Sequence, residues 1–248
     1  DHLVAVGDGY RRGLRDRNVA ASRISVITNG IDLSRQQPQP RDEELLAHYG
    51  FSGKFVVGVI GTIGMAAGLE VVLEAAEKLR ARSDDDIVFL IVGDGAERER
   101  LMEMTAERGL SNVVFTGRRS KAEMPSYLAS VDACLVHLRD VELFSTVLPS
   151  KMFEAAAMAR PMILGVRGEA AALLEACGGG VLIEPENAEQ LVAVAREWAD
   201  DPAKAIALGE AGRRYMITRF DLDNLALDYE GVLNQVVEPR RKTGTEGS

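Results

Sequence analysis

The sequence predicts an α/β fold, a Rossmann-like doubly wound parallel sheet with helices on both faces. Three observations predict it. Short runs rich in Val and Ile alternate with helical segments through most of the 248 residues. The runs are continuous rather than alternating, the signature of strands buried on both faces. Glycine-rich turns follow several runs and precede helices, at the strand ends where such sheets bind ligands.

Strands are expected at 3–6, 24–27, 55–60, 87–92, 113–116, 133–136, 161–164 and 181–183. Helices are expected at 69–82, 97–108, 121–129, 150–159, 170–177, 188–200, 202–218 and 222–237. In the first, Leu69, Val72, Leu73, Ala76 and Leu79 form one apolar stripe. Residues 1–30 carry their own strand–helix–strand pattern, and 34–41, with two Pro and two Gln, read as a linker. A polar, mobile tail is expected from Glu238 to Ser248.

Composition narrows the function. A hydrophobic content of 46% supports a packed core, and no apolar stretch is long enough to span a membrane. The net charge of −9 argues against a nucleic-acid partner. The one dense basic cluster, Arg240-Arg241-Lys242, falls in the expected tail. Two cysteines, Cys134 and Cys177, are too few for a disulfide framework, so a reduced, cytoplasmic setting is expected. The chain starts Asp1-His2 without Met or a basic leader, as a fragment or processed chain would.

The most informative stretch is Leu148-Pro149-Ser150-Lys151-Met152-Phe153-Glu154-Ala155. Pro149 suits a helix start, where a missing N–H costs nothing. The unpaired N–H groups at Ser150 and Lys151 and the positive helix end would face an anion. A cation in a first turn opposes the helix dipole, so Lys151 is expected to have a ligand rather than to be a plain surface lysine. Glu154 sits one turn deeper on the Ser150 face, in a helix apolar enough to bury it. A buried carboxylate needs partners, and sugar hydroxyls would supply them.

Other turns read less sharply. Gly61-Thr62-Ile63-Gly64 is either an ordinary tight turn or a loop admitting a diphosphate. It lacks the Gly-Lys-Ser/Thr ending of a P-loop and the spacing of a dinucleotide fingerprint. In Gly93-Asp94-Gly95, Asp94 is expected chiefly to cap the next helix. Gly117-Arg118-Arg119 is an exposed loop or a platform for a base with arginine reaching phosphate. Glu169 suits a first helical turn with or without a ligand, and a lone His137 at a strand end is more often structural than functional. No HExxH, CxxC or Gly-x-Ser-x-Gly pattern occurs, so neither a metal site nor a serine-hydrolase elbow is indicated.

Taken in order, these pieces resemble the donor-binding, C-terminal half of a retaining GT-B glycosyltransferase of family 4. The matching pieces are Ile27-Thr28-Asn29-Gly30-Ile31-Asp32, Gly58-Val59-Ile60-Gly61-Thr62, Val92-Gly93-Asp94-Gly95, Val114-Phe115-Thr116-Gly117 and Pro149-Ser150-Lys151-Met152-Phe153-Glu154-Ala155. The last piece, with Gly165-Val166-Arg167-Gly168-Glu169-Ala170-Ala171, is similar to bacterial amino-sugar transferases of surface-polysaccharide synthesis, of the N-acetylfucosamine type.

The resemblance implies a division into 1–32 (end of an acceptor-side domain and crossover), 33–218 (donor-binding domain) and 219–248 (C-terminal helix and tail). It implies a UDP-linked nucleotide-sugar donor and no cofactor. Donor binding would involve Gly61, Thr62, Gly64, Gly117, Arg118, Pro149, Ser150, Lys151 and Glu154, with Glu154 on the ribose and the amides of Ser150 and Lys151 on the diphosphate. Two departures stand out. The family's glutamate eight residues before Glu154 is Thr146 here, and its Arg and Lys near the first glycine loop correspond to Thr62 and Ala67. Leaving-group stabilisation then falls to Lys151, with Arg118 or Arg119 next. The implied partners are an absent N-terminal acceptor domain and an acceptor, lipid-linked as one option. The implied location is cytoplasmic, with a peripheral place on the inner membrane face if the acceptor is lipid-linked. The alternatives are a sugar-nucleotide epimerase of the same architecture and a non-catalytic nucleotide-binding module.

Overall fold

The computed structural model describes residues 1–242, and side chains as far as Val237. The chain opens with β1 (Leu3–Ala5), α1 (Asp8–Asp16) and β2 (Ile24–Val26), then α2 (Glu43–His48). The main unit follows: β3 (Phe55–Ile60), α3 (Glu70–Ala81), β4 (Ile87–Val92), α4 (Arg98–Glu107), β5 (Val113–Gly117), α5 (Met124–Ser130) and β6 (Ala133–His137). It continues through α6 (Ser150–Ala157), β7 (Met162–Gly165), α7 (Glu169–Cys177), β8 (Gly180–Leu182), α8 (Ala188–Asp200), α9 (Pro202–Ile217) and α10 (Leu222–Lys242).

Six strands form one parallel sheet in the order β5-β4-β3-β6-β7-β8, and β1 pairs only with β2. The doubly wound fold read from the sequence is therefore present. All six residues of β4 are buried. Ile87, Phe89 and Ile91 join a core with α3 and α8 that includes the fully buried Trp198. Val88, Leu90 and Val92 join the opposite core with α5 and α6. A strand buried on both faces cannot alternate polar and apolar residues, which is why the run is continuous. Each such side chain contributes about 1.5–3 kcal/mol of burial.

Strand order runs outward in opposite directions from β3 and β6. Their C-terminal ends are thus the switch point, where a crevice opens. The Gly61 turn leaves β3 there, and α6 follows β6.

The structure differs from the sequence reading in several places. Helix α2 was not foreseen; Asp42 caps it by accepting the Leu45 N–H at 3.0 Å, and Leu46 fixes it in the core. Helix α5 begins at Met124 rather than at 121, because Glu123 turns back to accept the Ser120 N–H and hydroxyl. Helix α10 continues to Lys242, so 238–242 is helical backbone and not tail. Residues 243–248 lie outside the described part.

The crossover is tied to the start of α10. The Ile31 N–H donates to the Phe220 carbonyl at 2.7 Å and Leu222 returns the bond at 3.0 Å. Phe220 stands edge-on to Phe153 of α6, 5.1 Å between ring centres. Cys134 and Cys177 are free and buried. Among the described residues no helix is long and apolar enough to cross a membrane.

Candidate functional site

Helix α6 begins at Ser150, with Pro149 as its N-cap at φ −63°, ψ 129°. The proline sits one position earlier than a first helical residue. Among the described residues no side chain caps this end, and its first turn has no acidic residue. Among the described residues the N–H groups of Ser150 and Lys151 donate to nothing. The Met152 N–H closes the turn on the Pro149 carbonyl at 3.1 Å.

Opposite this helix mouth lies the turn after β3. Gly61 has φ +119°, a conformation L side chains rarely adopt, and the Lys151 side chain packs over it. Lys151 Nζ reaches the Thr62 carbonyl at 3.4 Å. The turn is fixed from below. Ile63 donates to the Asp94 carbonyl at 2.9 Å and Glu97 donates to the Ile63 carbonyl at 3.1 Å. A Cβ on Gly93 would stand 1.8 Å from the Gly61 carbonyl oxygen, so Gly93-Asp94-Gly95 serves as the seat of the Gly61 loop. Asp94 does not cap α4. Its carboxylate accepts the Gly95 N–H, and the α4 N-cap is Glu97. The N–H groups of Thr62 and Gly64 have no acceptor among the described residues.

Two adjoining hollows meet at Met124. One, of about 580 Å³, is lined by Gly61, Thr62, Asp94, Arg118 and Arg119. The other, of about 240 Å³, holds Glu154 with Asp32, Arg35, Gln36 and Lys121. Glu154 accepts no side-chain hydrogen bond among the described residues. Burial pushes its carboxyl above the ordinary range, and the Lys151 charge offsets this only in part. Burial also holds the Lys151 ammonium below its ordinary value, against the pull of Glu154. Of the expected anion-binding groups, Thr62 and Arg118 line the larger hollow, whereas Gly64, Pro149, Ser150 and Lys151 line neither and are tied to it through the Lys151 side chain over Gly61; the half-buried Glu154 lines the smaller hollow.

The structure separates the two arginines. Arg118 is exposed and makes no side-chain bond among the described residues. Arg119 is held by its own fold: Nη2 donates to Tyr49 Oη at 3.0 Å and to the Thr116 carbonyl at 2.9 Å, and the guanidinium lies 5.4 Å from the Tyr127 ring centre. Gly117 has φ +75° and lines neither hollow; its carbonyl accepts the Gly93 N–H at 3.1 Å. Asp32, Arg35, Gln36 and Met124 were not singled out from the sequence. The crossover motif ending at Asp32 was the available signal.

Glu169 and His137 are engaged elsewhere. Arg12 of α1 donates to Glu169 Oε1 at 2.9 Å, and a Cβ on Gly9 would touch both this oxygen and Thr146. His137 is 4% exposed with both ring nitrogens bonded, to the Ala67 carbonyl and the Glu186 N–H. Neither is placed as a free acid or base, which the epimerase alternative would require. No cluster of three or more His, Cys, Asp or Glu suited to a metal occurs among the described residues. A separate hollow of about 470 Å³ between α7 and α8 contains none of the expected site residues, and its Arg167 is paired with Glu184 at 2.6 Å.

Residues 42–215 match the family described as glycosyl transferases group 1, and the chain belongs to it. WcaI of Escherichia coli (strain K12), whose name places it in colanic acid biosynthesis as a glycosyl transferase, is 30% identical over 97% of this chain and 57% of its own length. A Mycobacterium tuberculosis relative, named as a GDP-mannose-dependent phosphatidylinositol monomannoside mannosyltransferase, is 26% identical over 83% of this chain and 54% of its own. The crystal structure of Anabaena Alr3699/HepE in complex with UDP and glucose shares the fold, with a TM-score of 0.81 at 21% identity, covering 94% of this chain and 62% of that one. The chain spans about half the length of the curated relatives it matches.

Proposed function

We propose that this chain is the donor-binding part of a retaining nucleotide-sugar glycosyltransferase of bacterial surface-polysaccharide synthesis. The observation that carries the proposal is the uncapped start of α6 facing the Gly61 turn, with an unpartnered Glu154 one turn deeper. In this reading the N–H groups of Thr62, Gly64, Ser150 and Lys151 hold the diphosphate, and Glu154 accepts the ribose hydroxyls. Lys151 and Arg118 stabilise the charge that develops as the bond from the anomeric carbon to the diphosphate oxygen breaks. The acceptor oxygen bonds that carbon from the same face, and its proton passes to the departing phosphate.

Residues 33–218 form the donor domain, 1–32 end the acceptor-side domain, and 219–248 close the chain. The rest of the acceptor domain is needed for turnover, so this chain alone binds donor and transfers nothing. A UDP-linked donor is favoured by the HepE complex, and the mycobacterial relative's name makes a GDP-linked donor the alternative. An amino sugar of the N-acetylfucosamine type, a lipid-linked acceptor and a peripheral place on the cytoplasmic membrane face complete the reading. WcaI's name supports the polysaccharide assignment.

The test is a screen of the full-length protein against UDP- and GDP-linked sugars, read as release of nucleoside diphosphate with and without lipid-linked acceptors. Acceptor-dependent release from one donor is expected. Tight binding without release from any donor would leave a non-catalytic nucleotide-binding module.

A further inference from the structure

Three consecutive carbonyl groups of the turn 65–67 are bonded from the end of β6. Arg139 Nε donates to the Met65 carbonyl at 2.9 Å, and the Arg139 backbone N–H donates to Ala66 at 2.9 Å. His137 Nδ1 bonds the Ala67 carbonyl at 2.7 Å. On the far side of the ring, the Glu186 N–H donates to His137 Nε2 at 2.7 Å. A neutral imidazole has one donor and one acceptor, so these two partners fix the Nδ1–H tautomer.

The surroundings make the arrangement rigid. Arg139 Nη2 grips Glu70 of α3 at 2.8 and 3.0 Å, and its Nη1 reaches Glu186 at 3.2 Å. Glu186 holds a left-handed backbone at φ +61°, which a non-glycine residue keeps only where its neighbours enforce it. A Cβ on Gly68 would stand 2.9 Å from Arg139 Cγ and 3.3 Å from the histidine ring, so the turn lies flat against both. The turn 65–67 continues the Gly61–Gly64 loop, whose other side is seated on Gly93-Asp94-Gly95. The loop is therefore clamped from two sides, and between the clamps the N–H groups of Thr62 and Gly64 have no acceptor among the described residues.

We infer that His137 and Arg139 are positioning residues for the donor diphosphate: they hold 61–67 so that the free N–H groups face the ligand, and His137 does so only as the neutral Nδ1–H tautomer. This rests on the proposed donor site. A second proton, on Nε2, would face the Glu186 N–H donor to donor and break the bridge. The charged groups around the ring are the Glu186 and Glu70 carboxylates, which favour protonation, and Arg139, which opposes it. Burial outweighs them and keeps the ring below its ordinary value. Acid therefore loosens the loop, and donor affinity falls with it.

The test uses the full-length protein and two probes, UDP-glucose and GDP-mannose. Their diphosphate diesters do not titrate between about pH 5 and 8, the range in which histidine changes charge. Wild-type affinity for whichever probe binds is expected to fall as the pH drops through the His137 midpoint, which burial places below the ordinary histidine value. His137→Phe is expected to bind about tenfold more weakly at neutral pH and to fall less toward acid than the wild type. His137→Asn, whose amide can still donate to Ala67, should recover part of the loss. Glu154→Ala should bind weakly yet still weaken further toward acid, because the His137 bridge is untouched. Should His137→Phe fail to fold, the ring nitrogens of His137 in the wild type are read by NMR. The Nδ1–H tautomer is expected, with a titration midpoint that saturating probe lowers by about one pH unit. An Nε2–H tautomer or an unmoved midpoint overturns the proposal. If neither probe binds, the donor-site reading falls and takes this one with it. If binding is lost in Glu154→Ala but is indifferent to pH and to His137→Phe, only the positioning role is rejected.

Discussion

Lys151 lies across Gly61: a Cβ built on that glycine would stand 2.8 Å from the lysine Cε, and Nζ ends 3.4 Å from the Thr62 carbonyl oxygen. The lysine of one strand–helix connection is thus stacked on the glycine turn of another, across the point where the sheet reverses its strand order. Gly61→Ala should therefore damage the site twice, through strain at φ +119° and by displacing Lys151. We expect about 1–3 kcal/mol of destabilisation in thermal unfolding, with at least a roughly tenfold loss of nucleotide affinity. Unchanged affinity in a folded Gly61→Ala would detach the lysine from ligand binding.

Glu154→Gln should have opposite effects on stability and binding. Burial raises the folded-state value of this carboxyl above its unfolded one. The group then contributes stability below its ordinary range of about 4.3, and that contribution is lost as pH rises through the folded value. At neutral pH an isosteric amide avoids the cost. The ligand-free protein should gain stability at neutral pH, read as a higher Tm, while nucleotide affinity drops. A Tm gain confined to acidic pH would contradict the sign.

Neighbouring arginines should behave differently. Arg119→Ala removes bonds to Tyr49 and Thr116, so it should lower Tm whether or not ligand is present. Arg118→Ala should leave Tm unchanged and weaken diphosphate binding most at low salt, where an exposed charge is least screened. Calorimetry at two ionic strengths separates the cases. No loss of affinity in Arg118→Ala, or a loss of equal size at both ionic strengths, would remove it from the site.

The Arg12–Glu169 pair ties the small β1–β2 unit to α7. A two-stranded sheet has little stability of its own. Glu169→Gln should release about 0.5–1 kcal/mol of that tie, given that Arg12 is largely exposed. Amide exchange should quicken within residues 3–26 and stay unchanged in β3 and β4. Uniform quickening across both sheets would show that the pair supports the whole fold instead.

Legibility followed the range of the interactions. Strands such as β4 were readable because burial on both faces leaves an unbroken apolar run, and α6 because a proline, a lysine and a carboxylate occupy one local pattern. Helix α2 was missed although Asp42, Glu43 and Glu44 are an ordinary helix opening; with only six residues it shows no periodicity. The role of Arg119 depends on Tyr49, that of Glu169 on Arg12, and that of His137 on Ala67 and Glu186. Each partner lies 49 to 157 residues away, so no local pattern announces it. Asp94 departs from its expected capping role for a related reason: the loop it supports follows β3, well before it in the chain, and is not part of the helix after it.

The central claim is that the mouth of α6 and the Gly61 turn grip a diphosphate while Glu154 grips the sugar of the nucleoside. Its most direct test is a calorimetric titration of UDP and of uridine, at one salt concentration, against the wild type, Lys151→Ala and Glu154→Ala. Lys151→Ala should lose ~1–3 kcal/mol for UDP and little for uridine, whereas Glu154→Ala should lose comparable affinity for both. Equal losses for the two ligands in Lys151→Ala, or wild-type affinity in both variants, would contradict it.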